Sequence, residues 1–220
     1  MSRDVLRVVI TAGATREPID AVRFVSNIAT GALPAAIADV WLARGADVHF
    51  LCGPGARQPV GNPARLTLWP IGTAAEAAAC LEERCRTLQP DIVLCAMAVA
   101  DYAPVAVAGK LSSAHDELVV RMRPTPKAVD RVKVAAPRCR LVAFKLLADA
   151  DEETLLAAAH QLAARCGADF VFANDMADHR LGRRRGLLVT PDGAVRARLD
   201  GGSADDGLHR LAEAIVAQLV

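Results

Sequence analysis

Short apolar runs alternate with helix-like segments along most of this chain, and this alternation limits the fold more than any other feature. The apolar runs predict six strands, at residues 6–10, 47–51, 65–69, 91–95, 140–144 and 169–172. Helical periodicity predicts five helices, at about residues 31–44, 74–86, 125–134, 152–166 and 204–219. Apolar strands that alternate with helices are typical of a parallel sheet covered on both faces. We therefore predict an α/β fold with a Rossmann-like, doubly wound, mostly parallel sheet.

Two long segments interrupt the alternation. In residues 96–124 the stretches 110–113 and 118–122 are predicted to be the arms of a hairpin around residues 114–117, which gives a flap over about 105–124. A second excursion, at about 174–200, contains a basic loop (179–185) and then a hairpin that turns at 191–193. Since no linker or repeat divides the chain, we predict a single domain over residues 1–220. Long excursions from the carboxyl ends of parallel strands often carry binding and catalysis.

The composition excludes several classes of protein. A formal net charge of +1 gives neither a basic nucleic-acid-binding surface nor a polybasic membrane signal. Six cysteines without a Cys-x-x-Cys pair favour reduced, buried thiols. Because the chain passes directly into strand residues, we expect no secretory signal, and no apolar run reaches the roughly 18 residues of a membrane span. We expect a cytoplasmic protein that binds neither nucleic acid nor membrane.

Lysine is rare in this chain, because arginine supplies most of its 26 basic residues. The four lysines are Lys110, Lys127, Lys133 and Lys145. A lysine retained in such a chain fits a site that needs a compact ammonium group, although chance is an equal alternative.

The turn after the first strand has the character of a phosphate site. It contains Gly13, and a polar loop then leads through Asn27 to Gly31 at the start of a helix. Backbone N–H groups and the helix dipole favour an anion at such a junction. The chain lacks Gly-x-Gly-x-x-Gly and Walker patterns, so packing of strand against helix remains the alternative.

Other polar residues near the ends of predicted strands are candidates for a site. Asn27 is either a helix cap or a ligand-binding amide. Asp101 follows a run of small residues and can accept from a ribose hydroxyl, hold a metal-bound water or organise its own turn. Lys110 can bind phosphate from the flap or lie on the surface, and Asn174 and Asp175 end the last parallel strand. Five histidines show neither metal-ligand nor hydrolase spacing, so none is assigned a catalytic role: His49, His115, His160, His179 and His209.

Taken together, seven segments in order resemble the phosphopantothenate–cysteine ligases, the phosphopantothenoylcysteine synthetases of coenzyme A biosynthesis. They are residues 11–20, 22–31, 96–104, 109–113, 125–127, 144–146 and 168–175. The resemblance covers about residues 5–180, and residues 97–102 and 144–147 are most similar to the stand-alone bacterial form. Because the chain begins at the first strand, we expect it to lack the flavin-dependent decarboxylase domain fused to many homologues.

The resemblance implies a reaction in two steps. A nucleoside triphosphate activates the carboxylate of 4′-phosphopantothenate as an acyl-nucleotide and pyrophosphate leaves. The amine of cysteine then displaces the nucleoside monophosphate. We expect CTP as co-substrate, with ATP as the alternative, and Mg²⁺ (or Mn²⁺) as the metal. The family also implies a homodimer.

The resemblance also assigns roles to residues. Asn27 matches a catalytic Asn that binds substrate, and Lys110 matches a flap lysine that helps to form the acyl-nucleotide. Arg23 matches an Arg that reaches phosphopantothenate in the neighbouring subunit, and Ala98 lies against the acyl intermediate. The residues implied to bind nucleotide are Gly13, Thr30, Gly31, Cys95, Ala96, Met97, Asp101, Lys110, Thr125, Pro126, Phe144 and Arg165. No metal ligand is predicted.

Several positions depart from the family pattern. They are Ala14, Ala29, Pro34, Ser112 and Gln161. Gln161 and Arg165 stand where the family has two phosphate-facing lysines, and only Arg165 keeps the charge. Because of these departures, the choice between CTP and ATP and the arrangement of the phosphate-binding groups stay open. Two other functions remain. One is an NAD(P)-dependent Rossmann-fold reductase, disfavoured because Ala106 rather than Lys stands four positions after Tyr102; the other is a non-catalytic nucleotide-binding subunit.

Overall fold

A computed structural model describes residues 5–112, 116–203 and 206–220, and within these ranges it contains twelve strands and six α-helices. The strands are β1 (Arg7–Ala12), β2 (Arg16–Pro18), β3 (Phe24–Ser26), β4 (Asp47–Cys52), β5 (Leu66–Pro70), β6 (Ile92–Cys95), β7 (Tyr102–Pro104), β8 (Met122–Pro124), β9 (Arg140–Leu147), β10 (Phe170–Asp175), β11 (Arg185–Val189) and β12 (Val195–Asp200). The helices are α1 (Ala32–Ala43), α2 (Ala74–Leu88), α3 (Val132–Ala135), α4 (Glu152–Cys166), α5 (Met176–Arg180) and α6 (Gly207–Ala217).

The main sheet has the order β5-β4-β1-β6-β9-β10-β11-β12. Its first six strands are parallel, and β11 and β12 extend it as an antiparallel hairpin. The six parallel strands follow the Rossmann order 3-2-1-4-5-6, in which the chain reverses direction across the sheet between β1 and β6. The predicted doubly wound, mostly parallel sheet is therefore confirmed. Folds of this kind bind ligands at the carboxyl ends of the strands beside such a reversal.

Alternate strand residues enter two core layers. On one face Val8 and Ile10 pack with Trp41 of α1 and Ile215 of α6. On the other face Val9 packs with side chains of α2 and α4. This period of two is expected for a buried parallel strand covered on both sides.

Two of the predicted helices begin at recognisable caps. The hydroxyl of Thr73 accepts from the N–H of Glu76, whose carboxylate accepts in return from the N–H of Thr73, and this capping box starts α2. Asp151 accepts from the N–H of Thr154 at 2.8 Å and starts α4. A cap of this kind contributes about 1 kcal/mol to helix stability.

The helix predicted over 125–134 begins later than expected. Residues 128–131 form a 3₁₀ turn that leads into α3. The N–H of Thr125 donates instead to the carbonyl of Asp101 at 3.0 Å, and its hydroxyl donates to the carbonyl of Ala100. The prediction of helix at Thr125 was wrong because these tertiary bonds hold the residue outside a helix, directly after β8.

The flap exists, but its predicted arms were wrong. The described parts of 110–113 and 118–122 are not strands, apart from Met122, and Ser113, Ala114 and His115 lie outside the described residues. The antiparallel pair is β7 with β8, six residues in all. These two strands pair because the bonds from Thr125 to residues 100 and 101 bring their ends together.

The second excursion largely follows the prediction. Residues 179 and 180 of the expected basic loop belong to α5, and the hairpin of β11 and β12 turns at 191–193 as predicted. The strands β9 and β10 each run three residues beyond their predicted ends. The last helix begins at Gly207, and its predicted start, Ala204, lies outside the described residues. No helix in the described ranges combines the length and apolarity needed to cross a bilayer.

The turn after β1 generates a prediction on stability. Gly13 has φ +78°, and a Cβ there would stand 2.5 Å from the Cβ of Ala56, whereas Gly45 has φ +80° with open space around it. An L side chain in this left-handed region costs about 1–2 kcal/mol. We expect Gly45→Ala to lower the free energy of unfolding by about 1 kcal/mol and Gly13→Ala by at least about 2 kcal/mol. Urea unfolding measures both, and equal losses would contradict the packing at Gly13.

Candidate active site

A cavity of about 900 Å³ opens at the carboxyl ends of the parallel strands, beside the reversal between β1 and β6. Its wall contains the start of α1, the turn after β6, the ends of β9 and β10, and one face of α4. Most of the residues predicted for the site meet here: Asn27, Thr30, Gly31, Cys95, Ala96, Met97, Ala98, Asp101, Thr125, Phe144 and Arg165.

Two buried hydroxyl groups fix the floor of this cavity. The Oγ1 atom of Thr11, at the end of β1, accepts from the N–H of Met97 at 3.1 Å. The Oγ1 atom of Thr15 accepts from the N–H of Ala100, also at 3.1 Å. The turn after β6 is therefore tied at both ends to the turn after β1. Sequence reasoning missed both threonines, since buried hydroxyls leave no pattern along the chain.

The side-chain amide of Asn27 also contacts this pair of turns. Its Nδ2 donates to the carbonyl of Ala98 at 3.2 Å, and the N–H of Ala98 donates to the carbonyl of Gly13 at 2.8 Å. The residue before α1 is Gly31, with φ 73°, and no side chain caps the helix there. Asn27 is thus not the cap of α1. The N–H of Ala32 donates to the hydroxyl of Thr30 at 3.4 Å, and the positive end of the α1 dipole lies at the cavity, which favours an anion.

Among the charged side chains of the wall, positive ones outnumber negative ones. Lys127, Lys145 and Arg165 line the cavity, and Asp101 carries the only carboxylate among the described lining residues. Lys127 forms an ion pair with Asp101, on the exposed rim. Arg165 Nε lies 3.3 Å from an oxygen of Asp130. An excess of positive charge in a cleft attracts anionic ligands. Lys127 and Lys145 were not among the predicted site residues, although the rarity of lysine was a signal for both.

One histidine also reaches the cavity, although none was assigned a role. The Nε2 of His179 lies 2.6 Å from the Nδ2 of Asn174. Burial, and then the charge of Arg184, lower the pKa of His179 below its usual value, so the ring is neutral at neutral pH. A neutral ring nitrogen accepts the hydrogen bond that the amide of Asn174 donates.

Asp175, the other candidate at the end of β10, organises its own loop. Its carboxylate accepts from the N–H groups of Ala177, Ala150 and Asp149 at 2.7, 3.0 and 3.1 Å. These bonds, that of Ala150 first, lower the pKa of the carboxyl group. Asp175 therefore holds the start of α5 and the loop before α4 in place.

Four predicted residues lie outside the cavity: Gly13, Arg23, Lys110 and Pro126. Gly13 lies behind Gly31, where a Cβ on Gly31 would stand 3.0 Å from the nitrogen of Gly13. Arg23 donates through Nη2 to the carbonyl of Leu111 at 3.1 Å. Lys110 lies next to Gly109, and the carbonyl of Gly109 accepts from the N–H of Ala21. Arg23 and Lys110 are therefore neighbours, on the β2–β3 hairpin and the base of the flap.

A buried carboxylate that sequence reasoning missed joins these two segments. Asp20 is 6% exposed and accepts from the N–H groups of Val22, Arg23 and Leu111 at 2.9, 2.8 and 3.0 Å. These N–H groups, that of Val22 first, lower the pKa of the carboxyl group. The third bond links residues 91 positions apart. Asp20 therefore ties the flap base to the β2–β3 hairpin.

The positions that depart from the family pattern are spread around the site. Ala29, Pro34 and Gln161 line the cavity, and Ala14 pairs with Ala98 as an isolated bridge beneath it. Ser112 lies on the flap. The substitutions at residues 29, 34 and 161 therefore change the cavity wall itself.

Similar proteins support the same family. The chain is 34% identical to the coenzyme A biosynthesis bifunctional protein CoaBC of Thermococcus kodakarensis over 77% of its own length and 41% of that protein. It is 37% identical to a cysteine/cysteine sulfinic acid decarboxylase of an unknown prokaryotic organism over 67% of its length and 40% of that protein. The chain thus spans about two fifths of the length of these curated relatives.

Solved structures share the fold. The DNA/pantothenate metabolism flavoprotein of Streptococcus pneumoniae superimposes with a TM-score of 0.85 at 24% identity and covers 98% of both chains. An H337A mutant of Cab2 in complex with phosphopantothenate-cysteine superimposes with a TM-score of 0.77 at 21% identity, covering 97% of this chain and 86% of that one.

The family model for the DNA/pantothenate metabolism flavoprotein C-terminal domain matches residues 4–203. That match takes in every element from β1 to β12. It also takes in the whole cavity wall. The resemblance read from the sequence is confirmed, and the chain belongs to the DNA/pantothenate metabolism flavoprotein C-terminal domain family.

Proposed function

We propose that this protein joins 4′-phosphopantothenate to cysteine through an acyl-nucleotide formed from CTP. The observation that carries the proposal is the contact between the Asn27 amide and the carbonyl of Ala98, inside a cavity with an excess of positive charge. The names of the relatives agree, since the Thermococcus protein is named for coenzyme A biosynthesis and Cab2 binds phosphopantothenate-cysteine, the product of this reaction.

In the first step a carboxylate oxygen of 4′-phosphopantothenate attacks the α-phosphorus of the nucleotide, and pyrophosphate leaves with the electrons of the broken P–O bond. Both reactants are anions, so their approach requires compensating charge. The cations on the cavity wall and the positive end of α1 supply it. Lys110 lies outside the cavity, and its proposed part in this step requires the flap to move over the nucleotide.

In the second step the amine nitrogen of cysteine attacks the acyl carbon and releases the nucleoside monophosphate, while the amine proton passes to solvent. Asn27 and Ala98 would lie against the acyl group. Because the Asn27 side chain is held by Ala98, its amide is already oriented when the intermediate forms. The buried threonines beneath keep this geometry rigid.

We propose that Mg²⁺ enters with the triphosphate. Mg²⁺ in nucleotide sites is held largely by phosphate oxygens and water, with one or two carboxylates from the protein. Asp101 is the carboxylate that lines the described cavity and would supply such a ligand, in competition with Lys127. Among the described residues no three His, Cys, Asp or Glu side chains converge on one point. The ion would offset charge on the phosphates.

The direct test is an assay of pyrophosphate release. Incubation with 4′-phosphopantothenate, cysteine, Mg²⁺ and CTP should release pyrophosphate and form the amide product, with ATP less effective. Omission of cysteine should leave the acyl-nucleotide bound, which mass spectrometry detects. Absence of product with either nucleotide would refute the proposal, and tight nucleotide binding without turnover would indicate a non-catalytic nucleotide-binding subunit.

Two variants separate the two steps. Asn27→Ala should slow consumption of the acyl-nucleotide about 100-fold, because an oriented amide at the reacting centre is lost. Lys110→Ala should slow its formation by a similar factor, and Lys110→Arg should keep part of the rate. Rapid-quench measurements follow both steps. Asn62→Ala, at an exposed 3₁₀ cap outside the cavity, is the control, and wild-type rates in both test variants would remove these assignments.

We further propose that the active form is a homodimer. Exposed apolar side chains cluster on the β2–β3 hairpin, the segment before α1 and the flap, and they include Val22, Phe24, Ile28, Tyr102, Val105 and Val107. Surfaces of this kind commonly bind another protein. Arg23 lies at the same place and does not line its own cavity, which suits contact with substrate in a partner subunit.

The dimer proposal predicts a specific effect at Phe24. Phe24 is 49% exposed, and Phe24→Asp would place a charge at the centre of the proposed interface. We expect this variant to be monomeric in sedimentation and to lose activity at low protein concentration. Val134→Asp, at a position that is 84% exposed on α3, is the matched control and should sediment like wild type. A dimeric Phe24→Asp would place the interface elsewhere.

A further inference from the structure

Lys145 occupies an unusual place on β9. Side chains alternate along this strand, so that Ala143 and Leu147 enter the core layer on the α2 and α4 side, while Phe144 packs on Phe172 in the other layer. Lys145 shares the side of Ala143 and Leu147. It is partly buried and lines the cavity next to α4. A lysine placed here has lost part of its hydration, which a counter-charge must offset.

The other cations of the cavity already have carboxylate partners, and Lys145 has none in the described chain. Lys127 pairs with Asp101, and Arg165 lies against Asp130. Among the described residues no carboxylate stands within 4.0 Å of the Lys145 ammonium. The neighbouring wall of α4 contributes the neutral Gln161. The charge of Lys145 is therefore available to a ligand.

We infer that Lys145 binds the pyrophosphate end of the nucleoside triphosphate and stabilises it as it leaves. The inference rests on the proposed ligase function and adds a residue to its nucleotide site. The contact of Asn27 with Ala98 lies by β1 and β6, whereas Lys145 lies on β9 and faces α4. Two strand spacings, about 10 Å, separate β1 from β9, so Lys145 lies to the side of the reacting α-phosphate, where the phosphates beyond it would extend. The terminal phosphates carry most of the charge that an unpaired ammonium would attract.

Binding measurements test the inference without turnover. Calorimetric titrations use CTP with Mg²⁺, inorganic pyrophosphate and CMP, in the absence of 4′-phosphopantothenate and cysteine. Lys145→Gln should weaken binding of CTP and of pyrophosphate about 10- to 100-fold, as loss of a charged hydrogen bond implies, and leave CMP within about twofold. Lys145→Arg should retain most of the affinity for both, which shows that the charge and not the fold is responsible.

Two further variants complete the design. Arg196→Gln removes the same charge from an exposed position of β12 outside the cavity and should bind CTP like wild type. Adding Gln161→Lys to Lys145→Gln should restore part of the affinity, because both side chains line the same wall. If the double variant does not recover affinity for CTP, the phosphates do not lie between β9 and α4.

The outcomes separate this inference from the proposed function. If the wild type forms product and Lys145→Gln binds CTP and pyrophosphate normally, the inference is overturned and the ligase function stands. If CMP binding weakens as much as CTP binding, Lys145 does not bind the terminal phosphates, and the inference is also overturned. If the wild type binds CTP but forms no product, the ligase function fails, and the comparison of CTP with CMP still decides the place of Lys145.

Discussion

The site depends on one junction, in which the turn after β1 is bonded along its length to the turn after β6. Thr11 and Thr15 contribute buried hydroxyls, and the peptide groups of residues 13–15 pair with Ala98. These two strands are neighbours at the reversal of the sheet, so their turns meet at its carboxyl edge. Asn27 completes the junction from the segment before α1. These bonds make the two turns that meet at Ala98 one hydrogen-bonded unit.

Much of this architecture follows from local patterns in the sequence. Buried strands such as β1 and β6 are continuous apolar runs, and the caps of α2 and α4 stand beside amphipathic helices, so both kinds of element are visible along the chain. The meeting of Asn27 and Ala98 at one cavity agrees with the rule that parallel strands end at a common edge, whereas Arg165, on α4, was implied only by the family resemblance. The family resemblance indicated which of these residues form a single site.

What the sequence did not reveal depends on contacts between distant residues. Residues 118–121 look like a strand, yet the strands of the flap are β7 and β8, which each contain a proline and are held by the bonds of Thr125. Lys145 was not among the predicted site residues; the strand before it was predicted to end at residue 144, whereas β9 continues past Lys145 to Leu147. Asp20 gave no local signal, since its partner Leu111 is 91 residues away.

The carboxylate of Asp20 couples the position of the β2–β3 hairpin to that of the flap base. It accepts from backbone N–H groups of the hairpin that carries Arg23 and of the flap base that carries Lys110, so the backbones of these two segments are held together. In the proposed dimer, a partner subunit in contact with the hairpin would therefore also act on the base of the flap. If the proposed dimer and nucleotide site hold, subunit contact and closure over the nucleotide would be coupled through the bonds that Asp20, Arg23 and Ala21 make to residues 109–111.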